Sequence, residues 1–318
     1  MYLLKSSAKN IKVAAKSIAA GNLVAFPTET VYGLGADATN RFAVSKIYRV
    51  KERPLNHPLI VHIPSMALID KWSEEVCEYA INLARDFWPG PMTLILKRSQ
   101  LAKNFVTGNQ NTVGLRVPNQ PVALELLNEF EKLGGDGIAA PSANRFGSVS
   151  PTTAEAVKDE LEKYLDKRND KVLDGGQCQI GLESTIIDCT SDIPRILRPG
   201  AITKEMIAKS TGLLAVKLLS RNIRVSGALK VHYSPKAKVV LDTKTKNSDG
   251  FIAIDSIPTP AGLVRVAAPR STDEFAREIY AALRFADSLG LSEICVIQPK
   301  GDGLASAIRD RLKRASRN

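Results

Sequence analysis

Histidine and cysteine are scarce in this chain, with three of the first and four of the second in 318 residues. Cys77, Cys178, Cys189 and Cys295 are scattered and form no C-x-x-C pair. They read as reduced, mostly buried thiols rather than as a disulfide frame or a zinc site. Aromatic residues make up only 6%, and no RNA-reading signature stands out. No apolar run approaches the roughly 20 residues of a membrane span. Residues 1–16 carry lysines but neither an unbroken apolar core nor a small-residue cleavage site, so an amphipathic helix, a cytoplasmic location and no membrane partner are expected. The phosphate loop G-x-x-x-x-G-K-[ST], the nucleophile elbow G-x-S-x-G and the zinc helix H-E-x-x-H are all missing.

Positive charge, by contrast, is in surplus: 44 Lys and Arg against 33 Asp and Glu give a net charge of +11. That balance favours nucleotide, phosphate or nucleic-acid partners, although surface lysines also serve solubility. The C-terminal residues Arg309, Arg311, Lys313, Arg314 and Arg317 read either as a solvated helix face or as a weak contact to RNA. Hydrophobic content of 44% and charged content of 24% are ordinary for a globular chain, and the length suits two domains.

Periodicity sets out alternating helices and strands, the pattern of an α/β fold. A helix is expected over residues 8–20, stopped by Gly21, then a buried strand over 23–26, a helix over 41–51 and a strand over 58–63. A long helix capped by Ser73 is expected to reach Trp88. Strands follow over 92–96 and 113–117, and 138–140 leads into a loop. The box from Thr152 to Glu155 opens a helix reaching Leu165. Short strands over 171–173, 184–189 and 195–197 precede a helix over 203–210. Residues 1–210 are expected to form one domain, 211–235 a connector holding Ser226 and Gly227, and 236–318 a smaller Rossmann-like unit with helices over 271–289 and 304–315.

The chemistry-bearing residues concentrate between 26 and 63. Phe26-Pro27-Thr28-Glu29-Thr30-Val31-Tyr32-Gly33-Leu34-Gly35 places hydroxyls and a glycine-rich turn after an apolar run. Lys51 and Arg53 follow a helix end, and a second apolar run ends on His62. This layout suits an anionic, hydroxyl-bearing ligand held across strand ends. Lys51 and Arg53 are either solvated cations favoured at a helix C-terminus or a phosphate clamp. His57, His62 and His232 lie in or beside these segments and the connector, as structural groups or as ligand-facing ones. The loop 141–151, with Ser142, Asn144 and Ser150, reads either as a polar turn or as a cradle for phosphate. Arg116 and Arg198 each end a strand beside a proline. Gly33 to Ala38 matches G-x-G-x-x-A, but residues 28–32 separate it from its strand, so no dinucleotide fingerprint is expected there.

Taken in order, FPTETVYGLG, KERPLNHPLIVHI, WPGPMTLIL, VGLRVP, APSAN, GLESTIID and LRPG resemble the YrdC-like family. More specifically, they resemble the long form of the threonylcarbamoyl-AMP synthases, which carries an extra C-terminal domain. The motifs cover residues 5–205; HYSP and the unit after it resemble the long form more loosely. The resemblance implies a YrdC-like twisted open sheet with helices, plus the smaller Rossmann-like α/β domain. It also implies synthesis of L-threonylcarbamoyladenylate and pyrophosphate from L-threonine, bicarbonate and ATP, with Mg²⁺ accompanying the ATP. A tRNA-modifying threonylcarbamoyl transferase complex would take the product. By the same resemblance Thr30, His62, Arg116, Ala140 and Ser184 would hold threonine. Lys51, Arg53, His57, Thr112, Ser142, Asn144, Ser150, Arg198 and His232 would hold ATP, with Lys51 and Arg53 acting in catalysis. His57 stands where many relatives have asparagine. Two other classes remain in view. One is a non-catalytic RNA-binding module of the same fold. The other is a carbamoyl-transfer enzyme of hydrogenase maturation, which would carry cysteine pairs that this chain lacks.

Overall fold

The computed structural model describes residues 2–217, 223–225, 227 and 232–317. Its strands are β1 (Leu3–Lys5), β2 (Val24–Phe26), β3 (Gly33–Asp37), β4 (Ile60–His62), β5 (Ser73–Glu74), β6 (Met92–Arg98), β7 (Thr112–Arg116), β8 (Ile138–Ala139), β9 (Lys171–Asp174), β10 (Thr185–Asp188), β11 (Arg195–Arg198), β12 (Val216–Lys217), β13 (Lys238–Leu241), β14 (Gly250–Ile252), β15 (Val264–Ala267) and β16 (Glu293–Val296). The α-helices are α1 (Ala8–Ala19), α2 (Arg41–Lys51), α3 (Ile69–Trp72), α4 (Glu78–Phe87), α5 (Asn104–Thr107), α6 (Pro121–Lys132), α7 (Ala154–Leu161), α8 (Lys204–Thr211), α9 (Thr272–Ser288) and α10 (Leu304–Ala315).

The first twelve strands form one mixed sheet in the order β1-β9-β2-β3-β8-β4-β7-β6-β10-β11-β12, with β5 paired to β6. Helices α1 and α6 bury Ile11, Ile18, Leu126 and Phe130 against Val24, Phe26 and Ile138 of the sheet. A larger cluster gathers Ile47 of α2, Trp72 of α3, Leu83 of α4 and Val106 of α5 with Val61, Leu94 and Leu115. The remaining four strands form a wholly parallel sheet, β13-β16-β14-β15. Its core joins Phe275, Ile279 and Leu283 of α9 with Ile308 and Leu312 of α10, and also takes in Val31, Val149 and Leu182 from the first unit. The mixed α/β sheet and the smaller second sheet agree with the fold class read from the sequence.

Several boundaries differ, each for a tertiary reason. The helix expected to start at Ser73 starts at Glu78. The Ser73 hydroxyl instead donates to the Ile69 carbonyl and closes α3, and Ser73–Glu74 pairs with Lys97 and Arg98 at the edge of β6. Glu75 then adopts a left-handed φ of 51°, which breaks the helix-like run. The cap of α7 is Thr153 rather than Thr152, accepting from the Ala156 amide, and the helix stops at Leu161 rather than Leu165. Gly33–Asp37, expected as a turn, is a strand. Its glycines serve close approach, since a Cβ on Gly35 would lie 2.7 Å from Phe26 and 2.8 Å from Ile138 side-chain atoms. Within the expected connector, β12 pairs with β11, while Ser226 lies outside the described residues.

Candidate active site

The sheet order carries several distant segments to one place. The crossing from β2 to β3 supplies Thr28 and Thr30. Strands β4 and β7 run parallel, with His62 and Arg116 in register, so both end at the same level. The entry to β10 supplies Glu183 and Ser184, and its antiparallel partner β11 ends on Arg198. With Arg53, Ala140 and Ser142, and with His232 and Tyr233 from the connector, these residues surround a cavity of about 50 Å³ that is partly open to solvent.

Each cation is aimed by its own set of acceptors. Arg116 donates to the Thr30 hydroxyl at 2.9 Å and to the Gly90 carbonyl, and its remaining nitrogen lies 2.7 Å from the Glu29 carboxylate, with both side chains almost fully buried. Arg198 donates to the Ser184 carbonyl at 3.0 Å and to its hydroxyl at 3.1 Å, and that hydroxyl is also hydrogen-bonded to the Thr93 hydroxyl at 2.7 Å. Arg53 follows the left-handed Glu52 that ends α2. It donates to the carbonyls of Pro58 and His57 and sits over the Phe146 ring.

Burial and mutual repulsion show in the proton affinities. Burial, with Arg198 among the neighbouring charges, pulls Arg53 down to about 10. Burial and then Arg53 hold Lys51 well below the usual lysine value. Burial, and then Arg116, pushes His62 down to about 3, so it is neutral at physiological pH. Burial likewise takes His232 to about 3, with Glu183 pulling it up and Lys51, Arg53 and Arg198 pushing it down. Three arginines facing one small space are costly to hold together and favour an anion there.

Nine of the fourteen expected site residues therefore line the cavity: Thr30, Arg53, His62, Arg116, Ala140, Ser142, Ser184, Arg198 and His232. Three sit buried outside that lining. The Lys51 ammonium is turned onto the carbonyls of Ser142 (2.6 Å) and Asn144. The Asn144 amide donates to Arg145 and Ser148 carbonyls, and the Ser150 hydroxyl donates to Glu183. All three shape the 141–151 loop. The other two lie further out. His57 presents its carbonyl to Arg53 and its half-buried ring to Phe146. Thr112 begins β7, four residues and so about 13 Å of strand from Arg116.

Sequence reasoning missed Glu29, Glu183, Tyr280 and Arg311. Tyr280 donates to the Glu183 carboxylate at 3.0 Å, and Arg311 meets it at 2.8 Å. Neither a solvated face nor an RNA contact describes Arg311, which is 1% exposed. A signal existed in the pattern of α10. Ala307, Ile308, Leu312 and Ala315 mark its buried stripe, and Arg311 falls inside it. Of the other C-terminal cations, Arg309 donates to the Pro299 and Gly301 carbonyls and Arg314 pairs with Asp310.

Comparison with known proteins fits this geometry. Residues 16–200 match the Sua5–YciO–YrdC family, described as "Telomere recombination", and residues 202–317 match the family described as "Threonylcarbamoyl-AMP synthase, C-terminal domain". The fold and the two matches define a two-domain enzyme of the YrdC-like class. The chain belongs to the threonylcarbamoyl-AMP synthase family. It is 36% identical to the Pyrococcus abyssi threonylcarbamoyl-AMP synthase over 96% of this chain and 94% of that protein. It is 43% identical to the Bacillus subtilis threonylcarbamoyl-AMP synthase over 75% of this chain and 68% of that one. The crystal structure of P. abyssi Sua5 complexed with L-threonine aligns with a TM-score of 0.89 at 33% identity, covering 99% of this chain and 98% of that one.

Proposed function

We propose that this enzyme makes L-threonylcarbamoyladenylate from L-threonine, bicarbonate and ATP, for the threonylcarbamoyladenosine modification of tRNA. The observation that carries this reading is the cavity faced by Arg53, Arg116 and Arg198 together with the Thr30, Ser142 and Ser184 hydroxyls. The likeness to a relative crystallised with L-threonine supports it.

The threonine amine and bicarbonate condense to a carbamate with loss of water. A carbamate oxygen then attacks the α-phosphorus, and pyrophosphate leaves with the electrons of the broken P–O bond. Two anions must be brought together, so the work is charge neutralisation and alignment. In this reading Thr30, His62, Arg116, Ala140 and Ser184 receive threonine and its carbamate. Arg53, Ser142, Arg198 and His232 face the phosphates, while Lys51, Asn144 and Ser150 hold the loop beneath them. His62 is too weakly basic to take a proton at neutral pH and serves as a neutral hydrogen-bonding group. Glu183 is the one carboxylate among the described lining residues, and Arg311, Tyr280 and Ser150 already engage it. Mg²⁺ therefore enters on the triphosphate as part of the substrate, held by phosphate oxygens and water. The product passes to a threonylcarbamoyl transferase complex in the cytoplasm.

Incubating the purified chain with MgATP, bicarbonate and threonine should release pyrophosphate and form the adenylate, and omitting threonine should abolish both. Pyrophosphate release that ignores threonine would remove this reading. Replacing Arg53 with alanine should lower turnover about 100-fold with the circular dichroism spectrum unchanged. The RNA-binding alternative is weakened by the intramolecular ties of Arg309, Arg311 and Arg314.

A further inference from the structure

Arg311 belongs to the C-terminal unit, yet its guanidinium is spent on the loop ends that build the cavity in the other unit. Its Nε donates to the Glu183 carboxylate at 2.8 Å, and one terminal nitrogen donates to the Pro199 carbonyl at 3.0 Å and the Glu183 carbonyl at 3.4 Å. Those two carbonyls flank the cavity residues Ser184 and Arg198, so one side chain bridges the neighbouring ends of β10 and β11. The other terminal nitrogen meets Asp310 at 2.9 Å, and the ring of Tyr233 lies 5.5 Å from the guanidinium carbon.

Glu183 is the reason this matters. Among the described residues it lines a cavity whose other charged members are arginines, and one of them, Arg198, donates to the carbonyl and hydroxyl of the very next residue, Ser184. Ser150 and Tyr280 also donate to it but carry no charge, so without Arg311 the buried carboxylate would turn to Arg198 for its countercharge and compete with any incoming phosphate or carbamate.

We infer that Arg311 is a positioning residue for anion binding: by engaging Glu183 from behind, it keeps that carboxylate off Arg198 and fixes the Ser184–Arg198 pair. The C-terminal unit thereby completes a site to which α10 contributes no lining residue. This rests on reading the cavity as the ATP and threonine site, and it deepens that reading by giving the second unit a role in it.

The test compares Arg311→Gln, Arg311→Lys and the double variant Arg311→Gln/Glu183→Gln in the full chain, by calorimetric titration with MgATP and by threonine-dependent pyrophosphate release. Melting temperatures are measured alongside. Arg311→Gln is expected to weaken MgATP binding about tenfold or more and to lower turnover. Removing the carboxylate charge as well should restore binding by at least about threefold, a rescue that a loss of support alone would not give. Arg311→Lys, which keeps a charge on a shorter arm, should fall between wild type and Arg311→Gln, and it keeps the test alive if Arg311→Gln folds poorly. Wild-type affinity in Arg311→Gln, or a double variant no better than the single one, would overturn the inference. A wild type that binds MgATP but shows no threonine-dependent pyrophosphate release would overturn the proposed reaction while the binding comparison still stands. A wild type that binds no MgATP would overturn both.

Discussion

At the residue scale, the cavity depends on partners that never face it. Glu29 holds Arg116 from the rear, and with both groups almost fully buried neither can find water if the other is lost. Glu29→Ala should therefore destabilise the fold by about 3 kcal/mol, measured by denaturant unfolding, and should also weaken threonine binding. Wild-type stability in that variant would show that Arg116 is held by Thr30 and Gly90 alone. Lys51 teaches a related lesson. It belongs to the K-x-R pair that follows a helix end, and its ammonium is held by the carbonyls of Ser142 and Asn144 beside the cavity. A sequence shows which cations are present; which of them line the cavity depends on loops about 90 residues away along the chain.

Among the elements, the segment leading into β10 is the most tightly determined. Gly181 has φ +78°, and a Cβ there would lie 2.5 Å from the Arg277 Cα and 2.6 Å from the Ala276 carbonyl oxygen of α9. Arg277 also donates to the Gln179 carbonyl at 3.0 Å. The loop that delivers Glu183 and Ser184 thus rests directly on helix backbone from the second unit. Gly181→Ala should cost about 2 kcal/mol or more and reduce turnover together with stability, as thermal melts and the pyrophosphate assay would show. Helices with clear periodicity and strong caps were legible from sequence: α2 spans its expected range, and α9 opens at Ser271, whose hydroxyl accepts from the Glu274 amide. The run after Ser73 was misread because helix-compatible residues were recruited to a sheet edge. The glycines of β3 were misread because their reason lies across the sheet, in Phe26 and Ile138. Most of the cavity lining followed from motifs, whereas Arg311 required knowing what α10 packs against.

For the molecule as a whole, buried ionisable groups make folding sensitive to acid. The folded pKa of His62 and His232 is about 3, below the ordinary 6.5, so the unfolded chain binds protons first as pH falls. Burial raises the Glu183 pKa, but Arg311 and Arg198 outweigh it and bring it from 4.5 down to about 2. The stabilisation from that carboxylate is complete above 4.5 and is lost as pH falls towards 2. The signs agree: stability should fall below about pH 6.5, by roughly 1.4 kcal/mol per pH unit for each proton taken up on unfolding. Thermal melts between pH 7 and 4.5 should show this decline, and His232→Asn should make it shallower. A chain ending at residue 210 keeps Arg53, Arg116 and Arg198 but loses Arg311 and uncovers Val31, Val149 and Leu182. It should be inactive and prone to associate, as gel filtration and the pyrophosphate assay would reveal.

Those three apolar side chains have one more consequence. Because Val31, Val149 and Leu182 belong to the same hydrophobic cluster as α9 and α10, the boundary between the two sheets is not a seam along which the protein comes apart. Heating should produce a single cooperative endotherm, with calorimetric and van't Hoff enthalpies in agreement, rather than two separate peaks.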